Sequence, residues 1–188
     1  VQWQVCSPDT VANFSAVAYY FAKKIHEELD VPVGIIDTCW GGTRVSPWTA
    51  PESFSGSEEA FIENNRKVES NYARDLKKYE STGKGRRPTL HRGWSYLYNG
   101  MIHPLVPYTL QGFLWYQGET NRSDGVAYGP KFKRMIESWR TAWGGDLPFY
   151  FVQIAPYAYS QFPHRNINSP LILPELREGQ QQALELPN

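Results

Sequence analysis

Two short stretches of this chain concentrate groups able to stabilise negative charge developing on an oxygen. Trp40-Gly41-Gly42-Thr43 sets two residues without a Cβ directly after an apolar run. Backbone N–H groups there can approach a substrate closely and point at a developing charge. An ordinary tight turn between a strand and a helix has the same composition, and the glycine pair alone does not separate the two readings. Gln117-Gly118-Glu119-Thr120-Asn121 adds an amide, a carboxylate and a second amide straight after Phe113-Leu114-Trp115-Tyr116. Packing gives little reason for that concentration, because a buried polar group costs free energy unless it is paired.

Both stretches follow runs that read as strands. Val33-Gly34-Ile35-Ile36-Asp37-Thr38-Cys39 and Leu110 to Tyr116 are short and nearly continuous in apolar residues, the pattern of strands buried on both faces of a parallel sheet. Phe149 to Ala155 is a third such run. Helical spacing separates them. Phe14, Val17, Ala18, Phe21, Ala22, Ile25 and Leu29 predict a helix over about 11–29, broken at Asp30-Val31-Pro32. Tyr128, Phe132, Met135, Ile136, Trp139 and Trp143 predict a second, ended by Gly144-Gly145. A short helix is expected from Trp94 to Met101, and a last one from near Pro174 and Glu175. Between Pro156 and Pro174 the sequence reads as a Pro- and Tyr-rich loop. The alternation predicts an α/β fold with a parallel sheet and right-handed crossovers, whose ligands bind outside the carboxyl ends of the strands.

From about Glu58 to Tyr79 the chain is polar and charged, and Gly83-Lys84-Gly85-Arg86-Arg87-Pro88 then interrupts it. A solvated helix and a loop, inserted at about 56–92, follow from that pattern. The 188 residues otherwise suit one domain. Lys+Arg and Asp+Glu each number 19, so no net field exists to attract nucleic acid or an anionic membrane. No apolar run approaches the roughly 20 residues needed to span a bilayer, and Val1-Gln2-Trp3-Gln4 lacks the pattern of a signal peptide. Cys6 and Cys39 are expected as two buried free thiols rather than a bridge. Aromatic residues make up 15% of the chain, which suits either an ordinary core or the apolar faces of sugar rings.

A family resemblance covers nearly the whole chain, in order. Phe14 to Tyr19, Val31 to Ile36, Trp40 to Thr43, Tyr98-Asn99-Gly100-Met101-Ile102-His103-Pro104-Leu105 and Gly112 to Asn121 resemble the corresponding stretches of sialate O-acetylesterases. Leu147-Pro148-Phe149 through Pro156-Tyr157 and Leu176-Arg177-Glu178 are similar as well. The resemblance implies an SGNH-hydrolase-like three-layer α/β sandwich with a parallel sheet, its first and last strands outside this chain. It implies a serine esterase that removes O-acetyl groups from sugars such as sialic acid. The sequence has no P-loop or dinucleotide fingerprint and no histidine with a partner at metal-ligand spacing, so neither cofactor nor metal is expected. The setting the resemblance implies is secreted, periplasmic or lysosomal. The family's nucleophile sits in a Gly-Gln-Ser-Asn-Met type turn, and an Asp and a His lie near the end of its domain; neither segment occurs here, so both are expected outside the chain.

Carried over by position, Gly41 or Gly42 corresponds to the glycine whose N–H helps form the oxyanion hole. Gln117 corresponds to the side-chain oxyanion donor, and Glu119 and Asn121 are expected to brace the turn by hydrogen bonds to backbone groups. His103 is read as structural, His26 as a polar helix residue, and His91 and His164 as loop residues. Ser15 and Ser46 are read as structural because neither lies on a nucleophile elbow. Arg44, Arg86, Arg87 and Arg165 could pair with a sialate carboxylate. The competing reading is a glycan-binding or scaffolding module that keeps the esterase fold without its chemistry.

Overall fold

The computed structural model describes residues 2–157 and 170–188. The chain divides into two compact units, Val1–Trp40 and Gly41–Asn188. His164, Arg165 and most of the expected 156–174 loop lie outside the described residues.

In the first unit, α1 (Pro8–Val11) and α2 (Ala16–Leu29) replace the single helix expected over 11–29. The break is local chemistry. Ser15 has extended backbone angles, and its Oγ accepts the Ala18 N–H at 3.3 Å, so the longer helix starts there. It ends where expected: Asp30 takes a left-handed conformation at φ 51° and donates its N–H to His26 O. The run 33–39, expected as a buried strand, forms no ladder among the described residues, and Val33 is exposed. Apolar composition alone does not make a strand; a partner must take up its backbone groups. Cys6 and Cys39 are free, as expected, but both are exposed rather than buried. Cys39 Sγ donates to Asp37 Oδ1 at 2.6 Å. Partial burial first, then that hydrogen bond and the Asp37 charge, push its thiol up to about 11, so it is protonated at neutral pH.

The second unit contains α3 (Glu58–Thr82), β1 (Phe113–Trp115), α4 (Tyr128–Trp143), β2 (Phe149–Phe151) and α5 (Ile172–Gln181). β1 pairs with β2 in parallel, with Phe113 opposite Phe149 and Trp115 opposite Phe151. With α4 between them they form a βαβ unit, the α/β architecture expected. The strands are shorter than expected and are buried on one face only. Phe113, Trp115 and Phe149 face the core, while Leu114 and Tyr150, which are paired with each other, are exposed.

The core is built on the α4 side of the sheet. Phe132, Met135, Ile136 and Trp139 of α4 are buried against Phe113, Trp115, Phe149 and Trp48. Trp115 stands edge-on to Trp48 and Trp139, with ring centroids 6.0 and 5.8 Å away. Trp139 Nε1 donates to Trp48 O at 2.8 Å, so its one polar group is satisfied. Much of the aromatic content is therefore core; each such ring pair adds about 0.5–1.5 kcal/mol beyond its buried area.

The insertion at 56–92 is mostly α3, whose 25 residues include none that is buried. It docks by specific contacts: Asn65 accepts the Trp94 N–H at 2.7 Å and donates to Trp94 O at 3.3 Å, and Tyr96 donates to Glu69. Lys84, Arg86 and Arg87 beyond its end are exposed. The helical segment expected from Trp94 continues to Leu105: a wide turn, Tyr98–Ile102, passes into a tight one, His103–Leu105. Pro104 has no N–H to extend a regular ladder. Among the described residues no helix is long and apolar enough to cross a membrane.

Candidate functional site

The chain leaves the glycine pair in a left-handed step. Gly42 has φ 74°, a conformation in which a side chain is strained, and nothing lies within 4 Å of a Cβ built on either Gly41 or Gly42. The backbone is open on that side. The three residues that follow are fixed from the second stretch, one by one. Thr43 O accepts from Gln117 Nε2 at 2.9 Å, the Arg44 guanidinium pairs with Asp124, and the Val45 N–H donates to Asn121 Oδ1 at 2.9 Å. Thr43 Oγ1 also accepts from Trp48 Nε1 at 2.9 Å.

The second stretch begins at the end of β1 and is itself fixed from below. Gln117 Oε1 accepts from Tyr128 Oη at 2.9 Å, and Tyr128 Oη lies 3.4 Å from Trp115 Nε1. Burial pushes the Tyr128 phenol far up, so it remains a hydrogen-bond donor. That donor sets the orientation of the Gln117 amide and directs both Nε2 hydrogens inward, to Thr43 O and to Asn121 Oδ1 at 2.8 Å. The Gln117 carbonyl accepts from Gln180 Nε2 at 3.1 Å, and Gln180 Oε1 takes the Ile154 N–H at 3.1 Å. Gln180 has no exposed surface, so it is a buried clamp between the ends of β1 and β2. Gly118 leaves room for it: a Cβ there would lie 2.6 Å from Ile154 Cγ2.

Asn121, also without exposed surface, passes the network to a charge. Its Nδ2 donates to Asp124 Oδ2 at 2.7 Å, and Lys131 Nζ is 2.9 Å from the same oxygen. Burial alone would raise the Asp124 carboxyl; the hydrogen bonds from Asn121 and Lys131 and the nearby Arg44 and Lys131 charges outweigh it, and the net shift is downward. The carboxylate is ionised at neutral pH. The outcome is a rigid, fully paired underlayer beneath an exposed pair of glycines, an arrangement able to present backbone N–H groups to an anionic oxygen.

The chain matches the family described as carbohydrate esterase, sialic acid-specific acetylesterase, over residues 6–188. The chain belongs to that family. It is 32% identical to the sialate O-acetylesterase of Mus musculus over 167 residues, covering 76% of this chain and 30% of the mouse protein. It is 34% identical to the Homo sapiens sialate O-acetylesterase over 147 residues, covering 74% of this chain and 24% of the human protein. Its fold is similar to the crystal structure of a carbohydrate acetylesterase from Xanthomonas citri, with a TM-score of 0.74 and 30% identity, covering 99% of this chain and 35% of that one. The chain thus spans about a third or less of the length of these relatives. A carbohydrate esterase family and an α/β fold are what the sequence resemblance implies.

The structure brings Gln117 and Asn121 into one network with the turn carrying Gly41 and Gly42. Glu119 is set apart: its side chain is exposed, and its backbone carbonyl accepts from Arg122 Nη1 at 2.9 Å. Asn121 is the residue that braces the glycine turn. Asp124, Tyr128 and Gln180 belong to the network and escaped sequence reasoning. Tyr128 fits the apolar stripe of α4 and Gln180 the pattern of α5; their polar ends carry no sequence signal of their own. Asp124 lies three residues beyond Asn121, and its spacing from a residue already singled out is the one available signal.

The other residues considered are engaged elsewhere. His26 Nδ1 lies 2.7 Å from Val31 O, His91 contacts Thr89, and the His103 ring lies against Tyr98. Ser15 caps α2, and Ser46 lies in the turn Ser46–Trp48, its carbonyl accepting the Ser95 N–H. Among the described residues no group of three His, Cys, Asp or Glu side chains could hold a metal ion.

Proposed function

We propose that the protein bearing this chain is a carbohydrate O-acetylesterase acting through a serine acyl-enzyme, and that this chain supplies the oxyanion-stabilising side of its site. The observation that carries the reading is the locking of the glycine turn to the end of β1, by Gln117 on Thr43 O and Asn121 on the Val45 N–H. A tetrahedral intermediate of acyl transfer needs N–H donors held in place before the charge develops, because reorganising them during reaction costs the stabilisation they give. The backbone N–H groups of Gly41 or Gly42 serve as donors. Gln117, whose two amide hydrogens are engaged with Thr43 O and Asn121 Oδ1, acts on the oxyanion by holding the turn that carries those donors. Asn121 supports the site through the Val45 N–H.

The nucleophilic serine and its histidine base are assigned to segments other than this chain, because covalent catalysis requires the two within hydrogen-bond reach of each other and the family's Gly-Gln-Ser-Asn-Met type turn does not occur in this sequence. The substrate is an O-acetylated sugar, as the names of the relatives suggest for those proteins. A secreted, periplasmic or lysosomal setting fits such a substrate. Acetate release by the intact protein, measured in parallel on O-acetylated sialic acid and on acetylated xylan, tests the proposal. Release from one or both, blocked by a serine-directed phosphonate, is expected; binding of the glycans without release would instead favour a non-catalytic module.

A further inference from the structure

We propose that Asp124 is a positioning residue for this reaction: its carboxylate selects the orientation of the Asn121 amide and, through it, holds the turn that presents the oxyanion donors. The inference deepens the esterase reading and rests on it. A buried asparagine amide has two orientations related by a half-turn, one with Oδ1 and one with Nδ2 on a given side. Here only one works. Asn121 Oδ1 must face two donors, the Val45 N–H at 2.9 Å and Gln117 Nε2 at 2.8 Å. The reverse orientation would set Nδ2 against both of those donors.

Those two contacts already favour the working orientation, and Asp124 fixes it from the other side. An ionised carboxylate is an acceptor only, so it pairs with Asn121 Nδ2, at 2.7 Å, and repels Oδ1. Arg44 and Lys131 both pair with Asp124, and its side chain is 9% exposed, so the acceptor is fixed as well as charged. Asp124 also reaches the turn directly through Arg44. It therefore grips the turn at two adjacent residues, Arg44 by the ion pair and Val45 by way of Asn121. An asparagine at 124 would keep the shape but lose the charge that holds Arg44 and Lys131, and its amide could turn an NH₂ as well as an oxygen toward Asn121, so the selection would weaken. Asp124 touches no reacting atom in this arrangement, so its effect is on the placement of donors.

The test uses the intact protein and its Asp124→Asn and Asp124→Ala variants, with active sites counted by phosphonate titration so that misfolded molecules are excluded. In both variants kcat per titrated site is expected to fall roughly 10-fold or more, with KM changed less than about twofold, because small displacements of donors weaken transition-state rather than ground-state binding. Hydrogen exchange at the Val45 amide is expected to rise about 10-fold in the same variants, reporting local opening of the turn. Unchanged Val45 exchange in both variants would overturn the proposal, as would faster exchange with kcat unaltered. A wild-type protein that releases no acetate would overturn the esterase reading instead, and the exchange measurement would still report whether Asp124 holds the turn.

Discussion

Asn121 Oδ1 accepts the Val45 backbone N–H at 2.9 Å, joining residues 76 positions apart in the chain. Through this bond the glycine turn keeps a fixed position relative to the end of β1. Substituting Asn121 by Ala leaves the Val45 N–H and one Gln117 hydrogen without a partner, while Asp124 Oδ2 keeps Lys131. Each buried group left unpaired costs about 1–3 kcal/mol. A loss of about 3 kcal/mol in unfolding free energy is expected, read from urea denaturation of the wild-type and variant proteins; a change below about 1 kcal/mol would show that water replaces the contacts.

Gly118→Ala probes the seat of the second stretch. The added methyl would meet Ile154 Cγ2 at 2.6 Å, on a short branched side chain, and Gln180 Nε2 at 3.3 Å, whose amide is pinned by Gln117 O and the Ile154 N–H. Overpacking of this kind costs about 1–3 kcal/mol. A lowered thermal midpoint is expected, and an unchanged one would mean that the ends of β1 and β2 separate freely.

The Asp124 carboxyl gives the network a pH dependence of definite sign. The hydrogen bonds and cations around it hold its folded pKa below the ordinary aspartate value of 3.8, so its contribution to stability is fully present above that value. The contribution fades as pH falls below 3.8 and through the lower folded pKa. The stability difference between wild type and Asp124→Asn should therefore be constant from neutral pH down to about pH 5 and shrink in more acid solution. Thermal unfolding of both proteins across this range measures it; a difference that grows on acidification would contradict the assignment.

The purified segment 1–188 should hydrolyse p-nitrophenyl acetate no faster than its heat-denatured control. Its described histidines are engaged with Val31, Thr89 and Tyr98, and the nucleophile is assigned to another segment. Turnover that a serine-directed phosphonate abolishes would require a nucleophile within the chain, with Ser15 and Ser46 the first to test and His103 the first base.

Much of this was legible in the sequence because it depends on periodicity or on residues with one strong local preference. The stripe from Phe132 to Trp139 gave α4, and Gly144, at φ 72°, gave its end. The clustering of Gln117 and Asn121 after an apolar run pointed at the site. What stayed hidden depends on long-range partners. The run 33–39 has strand composition without a ladder, and the outward faces of Leu114 and Tyr150 read as buried when composition alone was considered. Asp124 looks like a loop carboxylate until Arg44, which is 80 residues earlier, is brought beside it. Gln180 looks like a polar residue on a helix until the Ile154 N–H is found on its side-chain oxygen.

The most direct test of the central claim is kcat for acetate release by the intact protein with Gln117 replaced by Ala. Losing a preorganised oxyanion contribution costs on the order of 3 kcal/mol in the barrier, roughly 100-fold in rate. The account expects a loss of that size per phosphonate-titrated site, with KM little changed and the variant still folded. A folded Gln117→Ala protein with the wild-type kcat would contradict it.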